Sequence, residues 1–286
     1  MTYAAILGLV SGADDDVATV STVADLARRH GASARITTVV PPVPAAGWAE
    51  AFGGGVFSHE LWQAVARAND DARRRLEDLA TTIAGQFGMP LGFDPDGPCL
   101  GVADQPAAGW AGLVRELPLT DLVVAGPSAV LAGGPWLGVL DEAVMAGRAP
   151  TLIARGAAAP VDRPAAVAWD GSLQAGRAAR AAVPLLLQAP RTLILQDPTH
   201  LDDDERDRAD PERLAAYLRR QGVRDVSVNR IKGHGVETLV EAAMACRAGL
   251  LVAGAYGHSR LGEAVFGGAT RALLEASDGP SLFIAH

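Results

Sequence analysis

A chain of 286 residues with a formal net charge of −8 and a pI near 5.2 lacks the basic surface that a nucleic-acid partner requires, yet is long enough for two domains, each with its own core. Hydrophobic residues make up 49% and charged residues 20%, an ordinary globular balance, and no uninterrupted apolar run approaches the roughly 18 residues of a membrane span. The two cysteines, Cys99 and Cys246, suit neither a disulfide scaffold nor a metal cluster, and no basic segment precedes the apolar stretch of Met1–Leu7 as in a secretory signal, so a cytoplasmic location is the expectation.

In chain order, Ala4–Val10 reads as an apolar strand, followed by Ser11-Gly12 and a helix from about Val17 to Arg29. Asp14–Asp16 reads as a solvated helix start, where negative charge suits the helix dipole. Ile36–Val40 is a second strand. Pro41–Phe57, rich in Pro, Gly and Ala, reads as a long loop of the kind that serves as a lid or partner surface. A helix from about His59 to Phe87 packs on the first sheet, with Arg73–Arg75 on its exposed side. Leu122–Gly126 and Thr151–Ala154 complete the strands of this half, and Gly156–Pro164, built of small residues and proline, reads as a linker.

The pattern then repeats. Ala165–Trp169 is an apolar strand, Asp170-Gly171 follows, and a helix runs from about Leu173 to Gln188. Thr192–Gln196 is the next strand. The alternating Asp and Arg residues of Leu201–Arg213 read as a surface of ion pairs rather than a metal site, and a helix Leu214–Gln221 follows. His234, in Lys232-Gly-His-Gly235, reads as a turn before the helix Val236–Cys246, at the sheet edge where open α/β sheets bind ligands. Leu250–Gly254 and Ser281–Ala285 are the closing strands. Strands alternating with helices, twice over, indicate an α/β fold with parallel sheets.

The region most informative about function begins at Gly254. Gly257 follows three residues on, and Gly267-Gly268 opens a helical pattern. Such a loop admits positive φ, removes Cβ atoms from the path of a ligand, and turns backbone N–H groups toward an anion at a helix N-terminus. The alternative is a tight turn with a glycine that lets a helix pack closely. Upstream, Asp170 closes its strand; its carboxylate can accept from a ribose hydroxyl or an adenine amine, or cap the helix that follows.

The order Asp170, then Gly254-x2-Gly257-x9-Gly267 followed by a small residue, resembles the nucleotide site of the universal stress protein family. The family usually carries Ser or Thr where this chain has Gly268; Thr270 stands nearby as a partial replacement. The resemblance implies two tandem doubly wound, five-stranded parallel sheets, one in 1–155 and one in 165–286. It implies that they pack as a pseudo-dimer through Thr151–Ala154 and Ser281–Ala285. It further implies ATP or another adenine nucleotide, with Mg where a metal accompanies the phosphates. The contacts would come from Ala168, Trp169, Asp170, Gln196, Gly254, Gly257, His258, Gly267, Gly268 and Ala269. The implied role is a stress-response sensor or regulator with a protein partner and room for a homodimer. No general base is placed for more than slow hydrolysis.

In the first half, Ser11 stands where Asp170 stands, Ala129 replaces the second glycine, and Val139-Leu140 replaces the glycine pair, with branched side chains expected in the phosphate space. This half reads as a degenerate copy. Two other readings stay open. One is a nucleotide-free interaction module of the same fold. The other is an ATP pyrophosphatase-type enzyme, because Ser11-Gly-Ala-Asp14 resembles the Ser-Gly-Gly-x-Asp-Ser loop of those enzymes.

Overall fold

The computed structural model describes residues 2–40, 59–92, 97–103, 107–130, 135–156, 160–199, 207–233, 235–255, 268–276 and 278–286. The strands are β1 (Ala5–Val10), β2 (Ser33–Val40), β3 (Cys99–Val102), β4 (Ala107–Ala108), β5 (Leu122–Ala125), β6 (Thr151–Ile153), β7 (Ala165–Ala168), β8 (Thr192–Gln196), β9 (Val226–Arg230), β10 (Leu250–Gly254) and β11 (Ser281–Ala285). The helices used below are α1 (Asp16–His30), α2 (His59–Phe87), α3 (Gly109–Glu116), α4 (Pro135–Met145), α5 (Leu173–Ala181), α6 (Val183–Leu186), α7 (Pro211–Arg220), α8 (Gly235–Ala245) and α9 (Gly268–Glu275). The Pro41–Phe57 stretch lies outside the described residues.

The strand path is β3-β2-β1-β5-β6-β11-β10-β7-β8-β9, with β4 beside β2. Each half contributes five strands to that path, parallel among themselves. The halves meet where β6 and β11 pair antiparallel, Leu152 opposite Phe283. The two sheets implied by the resemblance are thus joined into one. Without the pairing, β6 and β11 would each present an unpaired row of N–H and C=O groups at an apolar edge; joined, each satisfies the other.

Successive strand residues face opposite layers, and where both faces are covered the strands are largely apolar, as in β1, β5, β7 and β10; β2 and β9, further out, carry Arg35, Asn229 and Arg230. In β10, Leu250 and Val252 enter one core with α1, α2 and α5, while Leu251 and Ala253 enter the other with α4, α8 and α9. The seam is also stitched by polar contacts. Tyr3 Oη donates to the Ala181 carbonyl at 2.8 Å, Gln188 meets His30 at 2.8 Å, and Arg29 pairs with Asp162 at 2.9 Å. Burial pushes the Tyr3 hydroxyl up, with Asp121 adding to it, and burial pulls His30 down, aided by the neighbouring Arg29.

Three local expectations change. The helix after Asp170 breaks into α5 and α6 around Ala182, because Pro184 has no N–H to continue the ladder. The helix expected at Leu214 begins at Pro211, capped by Asp210, whose side chain accepts from Glu212 N; proline suits a first helical turn. The helix start Asp14–Asp16 is not uniformly solvated: Asp16 is buried. On α2, Arg73 and Arg74 do lie exposed, paired with Glu77 and Asp71.

Candidate functional site

At the carboxyl ends of the second half's strands, the described residues enclose a cavity of about 280 Å³. It sits where the strand order reverses, between β7 and β10, the place at which open α/β sheets bind ligands. One wall is Ala168, Trp169 and Asp170, leaving β7; opposite are Ala253 and Gly254, ending β10. Ile231, Val236, Leu239 and Leu273 supply apolar surface, and Asp170 and Asp197 supply carboxylates. The N-termini of three helices reach this cavity: Gln174 and Ala175 of α5, Gly235 and Val236 of α8, Ala269 and Thr270 of α9. The positive dipole ends of these helices favour an anion.

Local chemistry explains how the walls are held. Ser172 caps α5 by accepting from Ala175 N at 3.1 Å. The Asp170 carboxylate accepts from Ser172 N at 2.9 Å and remains exposed. Asp170 therefore shapes the turn, and the capping role expected of it belongs to Ser172. Gly171 adopts φ +75°, and a Cβ there would lie 2.6 Å from Ala209 Cα. Ala209 is also the anchor for two neighbours: Trp169 Nε1 donates to its carbonyl at 2.9 Å and Gln196 Nε2 at 2.6 Å.

Of the residues expected from the sequence, Ala168, Trp169, Asp170, Gly254 and Ala269 line the cavity. Gln196 does not; it is buried, with its amide committed to Ala209. Gly268 opens α9 beside the cavity residue Ala269. Gly257, His258 and Gly267 lie outside the described residues, as does His234. A Cβ on Gly254 would lie 2.6 Å from Ala175 N and 2.7 Å from Gln174 C, so this glycine is required for close packing of α5, whatever it also does toward a ligand. Thr270 is buried and lines the cavity. Sequence reading missed Asp197, whose carboxylate accepts from Thr199 N at 3.0 Å; it set the Lys232–Gly235 loop at the ligand edge, where Gly233 and Gly235 stand, but did not foresee the apolar surface of Ile231, Val236 and Leu239. The glycines at 233 and 235, with φ of 144° and 87°, were the available signal for that second loop. Among the described residues, no group of His, Cys, Asp and Glu is arranged to hold a metal, and no helix is long and apolar enough to cross a membrane.

In the first half, acidic side chains take the backbone donors of the corresponding loop, although a cavity of about 360 Å³ remains beside Ser11, Gly12, Asp16 and Thr38. Asp15 accepts from Ser128 N at 2.9 Å and from Ser128 Oγ at 2.6 Å. The Asp15 carboxylate and Thr19 lie so close to Gly126 that a Cβ there would be 2.3 Å from Asp15 Oδ2. Asp16 accepts from Ser11 N at 2.8 Å and Gly12 N at 2.7 Å. Burial pushes the Asp16 carboxyl up, against the pull of those N–H groups. Val139 and Leu140, expected to block this site, are instead buried core residues of α4; acidic side chains at the start of α1 occupy the position. The same bonds take the Ser11 and Gly12 donors that a pyrophosphatase-type loop would present to phosphate.

Comparison with known proteins agrees with this architecture. The family model described as the universal stress protein family matches residues 163–284. This part of the chain belongs to the universal stress protein family. Along its whole length the chain shares a fold with a universal stress protein from Archaeoglobus fulgidus DSM 4304, at 14% identity and a TM-score of 0.68, covering 98% of this chain and 95% of that one. A putative universal stress protein from Pseudomonas aeruginosa UCBPP-PA14 is similar at 11% identity and a TM-score of 0.58, covering 99% and 93%. A protein of unknown function from Pseudomonas aeruginosa PAO1 gives 12% identity and a TM-score of 0.57, covering 99% and 92%. No curated protein sequence matches. The universal stress protein fold thus extends across both halves, while the family's sequence signature is confined to the second.

Proposed function

We propose that this chain is a stress-response sensor or regulator that binds one adenine nucleotide, ATP, in its second half, with residues 1–155 and 165–286 as its two domains. The observation that carries this reading is the switch-point cavity, where apolar walls for a base, the Asp170 and Asp197 carboxylates for ribose or amine hydrogens, and three helix N-termini for phosphates converge. The adenosine end lies toward Asp170 and Trp169, and the phosphates toward Gly254, Gly268 and Ala269, with Gly257, His258 and Gly267 completing the loop. Mg accompanies the phosphates without a dedicated protein cage. Gln196 acts from behind by holding Ala209. Asp15 and Asp16 support the restriction to one half, because they already neutralise the backbone donors a second nucleotide would need.

Mass spectrometry of small molecules released from the purified protein, followed by calorimetric titration of the emptied protein with ATP, tests the reading. The expected result is an adenine nucleotide in the extract and one ATP per chain. Neither a released nucleotide nor any ATP heat would replace this reading with the nucleotide-free interaction module. Two equivalent sites would refute the restriction to one half.

A further inference from the structure

A second opening exceeds the switch-point cavity in volume. A cleft of about 630 Å³ lies at the seam between the halves, at the opposite edge of the second half's sheet. Its walls come from the places where strands of that half begin: Arg163 ahead of β7, Arg247 and Gly249 ahead of β10, Gly279 ahead of β11. Because β6 runs antiparallel to β11, the end of β6 delivers Arg155 of the first half to the same cleft. Three arginines from three separate segments therefore line one opening, with Asp278 as the one acidic residue among the lining residues described. The whole chain has 33 acidic residues against 25 basic ones, so this local excess runs counter to the general charge.

The three arginines differ in how they are held. Arg155 is anchored: Nη2 donates to the Leu273 and Leu274 carbonyls at 2.6 and 3.0 Å, and Nη1 to the Pro280 carbonyl at 3.0 Å. It thereby caps the carboxyl end of α9 across the seam, where a cation suits the dipole. Among the described residues no carboxylate pairs with it, its buried Nε has no partner, and burial lowers its pKa to about 10. Arg163 and Arg247 have no ion-pair or hydrogen-bond partner for their guanidinium groups among the described residues. Arg247 stands at φ 55°, in the left-handed region where glycine is the least strained choice. Packing alone gives no reason for a long cationic side chain at that position.

We propose that this seam cleft is a second binding site, separate from the switch-point cavity, for a small phosphorylated metabolite. Planar guanidinium forks match phosphoryl oxygens in pairs, and Arg163 and Arg247 reach the cleft from different segments, so one phosphoryl group can engage both. The cleft is larger than a bare oxyanion needs. Met244, Pro160 and Pro280 give it apolar surface, and Asp278 an acceptor for a hydroxyl or amine on the same molecule. A ligand held between Arg155 of the first half and Arg247 of the second would also strengthen the seam, since binding only to the joined state stabilises it.

The test uses the intact chain and two probes, inorganic pyrophosphate and ribose 5-phosphate, titrated calorimetrically with adenosine present in excess, which occupies the switch-point cavity but carries no phosphate to compete for the seam arginines. The variants are Arg163→Ser and Arg247→Gly, singly and together. Saturable binding of at least one probe is expected, weakened about ten-fold by either change and lost in the double variant. Arg247→Gly should leave the ligand-free melting temperature equal or higher, because glycine suits that backbone, which separates loss of the site from loss of the fold. Adenosine affinity should be the same in all four proteins; should the chain bind no adenosine, the same probe series run without it decides the seam site on its own. The proposal is overturned if neither probe binds at millimolar concentration, or if the double variant binds as the parent does.

Discussion

Gly268→Ser offers the sharpest examination of the nucleotide reading. Gly268 is the first residue of α9 and is exposed. A Cβ built on it meets nothing within 4 Å, and its φ lies outside the positive range that would strain a side chain. Serine therefore enters without displacing anything. Inside a helix, serine is better than glycine by a few tenths of a kcal/mol, and less at a helix start, so the melting temperature should barely move. The added hydroxyl stands at the helix N-terminus where phosphates are proposed. A hydrogen bond to a charged group contributes about 1.5–3 kcal/mol at most; at an exposed position about 1 kcal/mol is reasonable, close to a five-fold tighter Kd. Titration with ATP and, separately, with adenosine distinguishes the cause. ATP should tighten about five-fold and adenosine should not change. An unchanged ATP affinity in a stably folded variant would mean that phosphates do not lie at the start of α9. Equal tightening of both ligands would mean that the effect is one of helix order.

Asp170→Ala should weaken ATP by about 1–3 kcal/mol through loss of a charged acceptor, with a much smaller effect on melting temperature, because Ser172 and not Asp170 caps α5; a large loss of melting temperature at unchanged affinity would assign Asp170 to the fold alone. Gly254→Ala should destabilise the ligand-free protein by more than 1 kcal/mol, measured by urea unfolding, since its methyl would sit 2.6 Å from Ala175 N; a neutral result would show that α5 can retreat. Asp141 has a buried Oδ1 without a partner, and burial, reinforced by Glu142, raises its pKa to about 6. Its folded pKa exceeds the unfolded value, so the protonated form favours folding, and that contribution fades as pH rises through about 6. Solvent screening of this partly exposed side chain trims the effect to on the order of 1 kcal/mol. Asp141→Asn should accordingly raise the melting temperature at pH 7.5 and leave it unchanged at pH 4; a gain of the same size at both values would rule out the titration as its cause.

The strands were legible because strands buried on both faces must be apolar runs, and Leu250–Gly254 or Ala165–Ala168 can be little else. The cavity wall at Asp170 and Gly254 was legible because both stand where such runs stop. What sequence concealed depends on partners far along the chain. Nothing near Gln196 shows that its amide is spent on Ala209, 13 residues away. Nothing near Asp15 shows that its carboxylate meets Ser128, 113 residues on. Val139 and Leu140 were set opposite the glycine pair by counting from Gly126, with their side chains expected in the phosphate space, yet both are buried in the core on α4. Asp197 and the Ile231–Leu239 surface escaped because a concave surface assembled from three loops has no linear signature.

The antiparallel junction of β6 with β11 has an evolutionary consequence. In a symmetric dimer of identical chains, every substitution appears twice, and an acidic residue that shut one pocket would shut both. Covalent fusion removes that constraint. Here Asp15 and Asp16 engage backbone donors in one half, Asp170 and Gly254 line a cavity in the other, and the boundary carries Arg155, Arg163 and Arg247 in an arrangement that a self-complementary interface would have to duplicate. The continuous sheet supplies the rigid frame of a dimer, and the single chain supplies the freedom for its two ends to specialise.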